Sequence, residues 1–251
     1  MKKLFSIGVV FFMMLSISAL SLFCNAAQDD KTDAKAAQIV SKMIDAQGGK
    51  KRIQEIKDMV VTGTVEITQL GMEGSLTIYQ KEPDKLRSDV EVMGMIITQA
   101  YDGKTGWWIN PQTGETEEMS EQMATEMKRD ALGNDSLLNP EKYGIHYTYD
   151  GTETIDGIEH HIITRHFDDG FEATLYISGE TYLTTKSKAM TIDPTGVEVM
   201  IETYHSDYKE IDGTMVAHSL IVYQDGEEYM VSTITDVQYN TGLEDSLFKM
   251  D

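Results

Sequence analysis

Six histidines, His146, His160, His161, His166, His205 and His218, are the side chains best suited to hold a metal or move a proton. Their spacing argues against a metal centre. Strand alternation puts His160 and His166 on one face and His161 on the other, and no HExxH or comparable ligand spacing occurs. The acidic loop "HFDDGFE", 166–172, lacks the ligand pattern of an EF-hand. There is no GxSxG for a serine nucleophile, and the only cysteine, Cys24, lies near the N-terminus. Carboxylates are so frequent, 42 Asp and Glu in 251 residues, that a pair of them means nothing without geometry. Neither a Walker A nor a dinucleotide fingerprint is present. The expectation is a protein that is not an enzyme, with no catalytic residue, no metal and no cofactor.

Other residues suit binding better than catalysis. The chain has 16 methionines, whose flexible, polarizable side chains serve irregular cores and adaptable apolar cavities alike. Met119, Met123 and Met127 form a row on one stretch, where a lid helix is a candidate. In "YDGKTGWWINPQTGETEEMS", Tyr101 to Ser120, two adjacent tryptophans raise a problem of cover. Neighbouring strand residues point to opposite faces, so one ring faces inward and the other outward.

The elements that must position these residues follow from periodicity. From Thr32, Ala36, Ile39, Val40, Met43 and Ile44 recur at helical spacing, with Thr32 or Asp33 as N-cap. Gly48-Gly49 ends that helix and "KKRIQEIKD" makes a second, short one. From Met59 the period becomes two. Val61, Gly63, Val65 and Ile67 share one face of "VTGTVEIT", and Leu86, Val90 and Val92 share one face of "KLRSDVEV", as in an antiparallel sheet wet on one side. Ser120 caps a third helix carrying Met123, Met127 and Ala131. Strands resume over 145–154, 157–167, 171–178, 181–190, 197–208, 214–224 and 228–239, and "LEDSLF" is expected to pack on an end of the sheet. A sheet of about twelve strands must coil. The fold class is therefore mainly β with α: a single curved antiparallel sheet, a half-open barrel with helices over its concave face.

Lys2 and Lys3, the apolar run from Leu4 to Leu22 and then "FCNAAQDD" have the layout of a secretory signal. Phe23 before Cys24 departs from a lipoprotein signal, which favours cleavage after Ala26 or Ala27 over lipid anchoring through Cys24. The reading is a signal peptide over 1–26, one domain over 27–251 and an exported protein. The formal net charge of −21 excludes nucleic acid and anionic lipid surfaces as partners held by bulk attraction. A monomer is expected.

"DGKTGWWINP", Asp102 to Pro111, resembles the DGKT-aromatic-NP strand and turn of the LolA-like family, periplasmic carriers that sort bacterial lipoproteins to the outer membrane. "LTIYQKEPDKLR", Leu76 to Arg87, "IDAQGGKKRIQEIKDMVVTGTV", Ile44 to Val65, and "ETYHSDYKEIDGTMVAHSLIV", Glu202 to Val222, are similar to the matching parts of that group, in the same order. The resemblance spans the mature chain. It implies acyl chains of lipoproteins or lipids bound between sheet and lid, and delivery toward the outer membrane. An inner-membrane transporter and an outer-membrane acceptor would then be partners. The acyl cavity would draw on Val61, Val65, Leu76, Ile78, Leu86, Val90, Trp107, Met123 and Met127. The family's latch arginine, directly before the turn proline, is Glu82 here. The same half-barrel also serves as a sensor or interaction module of the cell envelope, the alternative reading.

Overall fold

In the computed structural model, residues 32–110, 113–193 and 197–250 are described. The expected signal peptide, 1–26, and Cys24 lie outside them. Helix α1 spans Ala34–Ala46 and is capped by Asp33, whose Oδ1 accepts the Ala36 N–H at 2.7 Å. Thr32 serves elsewhere, its hydroxyl accepting the Tyr147 N–H at 3.1 Å. Helix α2 is Gly49–Glu55.

Among the described residues thirteen antiparallel strands follow in one sheet. The first six are β1 Asp58–Ile67, β2 Met72–Lys81, β3 Lys85–Val92, β4 Met95–Tyr101, β5 Gly106–Ile109 and β6 Thr116–Glu118. Helices α3, Glu121–Asp130, and α4, Asn134–Leu138, interrupt them. The remaining seven are β7 Ile145–Ile155, β8 Ile158–Phe167, β9 Glu172–Ser178, β10 Thr184–Ile192, β11 Glu198–Ile211, β12 Thr214–Gln224 and β13 Glu227–Tyr239. The spatial order is β6-β5-β4-β3-β2-β1-β13-β12-β11-β10-β9-β8-β7. Two meanders are thus joined where the first strand pairs with the last, and the sheet does not close. The strand beyond the expected set is β6, three residues in a stretch too polar to signal one.

Register gives each side chain a face. Gly63, Leu76, Val90 and Ile97 stand opposite one another across β1 to β4, as do Val61 with Ile78 and Gln80 with Leu86. Gly63 sits at a register shift between β1 and β13, and a Cβ there would lie 2.4 Å from the Thr233 carbonyl oxygen, so the close approach needs glycine. The helices cover this inner, concave face. Ala36, Ile39, Val40 and Met43 of α1 are buried with Ile145, Tyr147, Ile163, Ala173, Ile177 and Ala189 of β7 to β10. Met127 and Ala131 are buried with Leu86, Tyr101 and Met119. At the end formed by the β1–β2 and β3–β4 turns, curvature brings Val65, Leu76, Val90, Val92 and Ile97 into one cluster with Val199, Ile201 and Val222, and side chains fill the interior.

The residues after β13 do not pack on an end of the sheet. They cross its outer face. Asp58 accepts the N–H groups of Thr241, at 2.6 Å, and Gly242, at 3.0 Å. Lys81 and Lys85 pair with Asp245 at 2.7 and 2.8 Å, and Phe248 is fully buried. The sequence reading had this segment packing on the sheet but put it at an end, whereas its partners Lys81, Arg87 and Trp107 lie on the outer face.

Candidate functional site

Eight of the nine residues expected to line an acyl cavity lie on the concave face or on the helix over it. They fall into connected clusters rather than around one void. Val65, Leu76 and Val90 belong to the filled end. Leu86, Met123 and Met127 pack under α3. Val61 packs with Ile234 and Val237, and Ile78 borders all three groups. Trp107 lies on the other side of the sheet. Its partner positions are Ala100 and, across it, Arg87, whereas Trp108 pairs with Gln99 on the helix side and packs beside Leu86 and Met123.

Open space lies at the opposite end, the mouth, where two clefts of about 210 and 390 Å³ adjoin. They share Ile53, Ile56, Glu82 and Asn134. Met59, Met215 and Tyr239 line one, and Pro83 and Leu138 line the other. The sequence reading missed Ile53 and Ile56. Their signal was present, two isoleucines spaced three apart in an otherwise polar "KKRIQEIKD".

Glu82, at the turn between β2 and β3, holds the segment that roofs these clefts. Its carboxylate accepts the N–H of Asn134 at 2.6 Å and of Asp135 at 3.2 Å, at the start of α4. Beside it the Pro83 carbonyl accepts the Gly133 N–H at 2.9 Å, and Gln80 donates to the Leu132 carbonyl at 3.4 Å. Burial pushes the Glu82 carboxyl up, and the two N–H groups act against that shift. The position where the family resemblance puts an arginine therefore fastens the roof with a carboxylate, reversing the polarity of the contact. Asp135 bonds in turn to Lys142 and to Tyr143, both at 2.6 Å, which hold its carboxyl down at about 2.

Among the described residues no group of three or more His, Cys, Asp or Glu could hold a metal, and no helix is long and apolar enough to cross a membrane. His146 and His166 stack on each other with centroids 4.7 Å apart, and half-buried His205 lies 3.3 Å from the Ser187 hydroxyl, its pKa pushed down to about 4 by desolvation. The geometry offers an apolar, roofed concave face and a mouth, which can bind.

Comparisons with known proteins agree on the fold. No family model and no curated protein matches the sequence. Solved structures do. A DUF1329 family protein from Desulfovibrio piger is similar with TM-score 0.58 and 17% identity, over 85% of this chain and 97% of that one. A putative outer membrane lipoprotein-sorting protein domain from Vibrio parahaemolyticus gives 0.56 and 12%, over 85% and 96%. A LolA superfamily protein from Nitrosomonas europaea gives 0.58 and 13%, over 86% and 98%.

Proposed function

We propose that this chain, which has the LolA-like fold, carries acyl chains of lipoproteins or lipids across the periplasm toward the outer membrane. In this reading residues 1–26 are the export signal and 27–251 form one domain. The observation that supports it best is the roofed mouth. Ile53, Ile56, Met59 and Leu138 line clefts at the mouth, beneath a roof fastened chiefly by hydrogen bonds from one turn. Each methylene taken from water into such a site contributes about 0.8 kcal/mol. Binding of this kind uses no catalytic group. A carrier also needs a donor and an acceptor, an inner-membrane transporter and an outer-membrane receptor.

The test is native mass spectrometry of the protein purified without detergent from the compartment to which it is exported. Co-purifying lipoprotein or lipid, released by denaturation, is the expected result and identifies the cargo. A protein that is empty, and that stays empty after incubation with total envelope lipid, overturns the reading.

A further inference from the structure

Charge runs through the apolar interior beneath α3. Glu126, Arg129 and Asp130 come from the last turns of that helix, and Tyr147 and Arg165 stand opposite each other on the inner face of β7 and β8. Glu126 is only 5% exposed. The Arg129 guanidinium pairs with Asp169 and lies 4.6 Å from the centre of the Phe171 ring. The Arg165 guanidinium lies 4.5 Å from the centre of the Phe167 ring. This seam separates the cluster under α1, with Ile163, Phe167 and Phe171, from the cluster under α3, with Leu86 and Met127.

Three of its atoms are buried without a hydrogen-bond partner: Nε of Arg129, Nε of Arg165 and Oδ2 of Asp130. Buried donors and acceptors are nearly always satisfied, because an unmade bond costs the desolvation of the group. A charge cluster kept only for packing would gain nothing from these orphans, since replacing buried ionic groups by apolar ones is often neutral or stabilising. Two guanidinium groups, each with a buried Nε–H that has no partner, are donors of the type that suits a carboxylate or phosphate.

We propose that this seam, between the last turn of α3 and the inner face of β7 and β8, seats the anionic group of the cargo, a carboxylate or phosphate borne on an acyl chain. The proposal rests on the acyl-binding reading above and adds a preference for anionic amphiphiles over neutral ones. Arg165 and Arg129 donate to the anion. Burial pushes the Asp130 carboxyl well above its usual range, with Arg129 and Arg165 acting against that shift and Glu126 adding to it. The chain of the ligand then lies along either flanking apolar cluster.

The experiment compares cis-parinaric acid with its methyl ester, two fluorescent probes of equal chain length that differ in charge. Each is titrated into the whole purified protein and into its Arg165→Met and Arg165→Gln variants. The native protein is expected to bind the acid about tenfold more tightly than the ester, as for a hydrogen bond to a charged group. In Arg165→Met the two affinities converge on that of the ester, while thermal stability is kept. Equal affinities in the native protein overturn this proposal and leave the acyl reading standing; failure of both probes to bind overturns the acyl reading itself. Retained selectivity in Arg165→Gln, the variant to use if Arg165→Met does not fold, also overturns the proposal. So does tight binding of inorganic phosphate alone by calorimetry, which would make the seam a site for free anions.

Discussion

The Trp107 indole donates its N–H to the Phe248 carbonyl at 2.7 Å and lies 5.9 Å from the Arg87 guanidinium, with the sheet between it and the helices. Trp108, one residue on, sits among the side chains beneath α3. Replacing Trp107 with phenylalanine keeps most of the ring and removes the donor, leaving a carbonyl under the tail unsatisfied. Urea denaturation should show a loss of about 1–3 kcal/mol, while acyl-probe affinity should not change. Reduced affinity at unchanged stability would return Trp107 to the binding surface. Alternation in "GWWI" showed that the two rings must part, but not which way each turns. The deciding partner is Phe248, 141 residues away, and nothing local encodes it. Leu76 and Val90 were legible as inward-facing for the same reason that Gly63 and Val61 were, a clean period of two. Burial in a filled cluster was not legible, because it depends on strands from the other half of the chain.

The roof over the mouth is a problem of elements: a five-residue helix, a turn and one carboxylate. α4 is too short to hold itself, so its first N–H groups depend on Glu82. A Cβ added at Gly133 would lie 2.4 Å from the Glu82 Oε1, and Gly133 has ordinary backbone angles, φ −84° and ψ −162°. Gly133→Ala should therefore displace the carboxylate by crowding, with no change of charge, and Glu82→Ala should remove it outright. Both variants are expected to speed amide hydrogen exchange at Asn134 and Asp135 by about tenfold or more, the worth of hydrogen bonds to a charged group. Unchanged protection in both would show that the roof is held by packing alone. The helices themselves could be read from spacing and caps: Asp33 and Ser120 both accept the N–H of the third residue on. The latch could not be read. Glu82 in "KEPD" looks like any acid in a polar turn until the chain brings position 134 beside it.

At the scale of the whole molecule, charge is distributed unevenly. The turns at the filled end carry Glu66, Glu73, Glu91, Glu198, Asp225 and Glu227, with no lysine or arginine in 66–74, 91–99 or 221–228. The exposed apolar side chains Leu70, Met93, Ile96 and Val197 stand among them. With a formal net charge of −21, self-repulsion opposes the compact state. Raising ionic strength from roughly 0.01 to 0.15 M, which cuts the Debye length from about 30 to 8 Å, should raise unfolding free energy by about 1 kcal/mol or more. A flat response would mean that the paired charges around the tail and the seam already offset the excess. The sheet's topology sets a further condition, one of timing. β1 finds its second neighbour only in β13, and Thr235 donates to the Thr62 carbonyl across 173 residues of chain. Closing so long a loop is slow and comes late. Until the last strand arrives, the first half keeps an unpaired edge and the chamber has no far wall. The two meanders can thus each take shape on their own, but the junction that makes them one sheet waits for the last strand to be made.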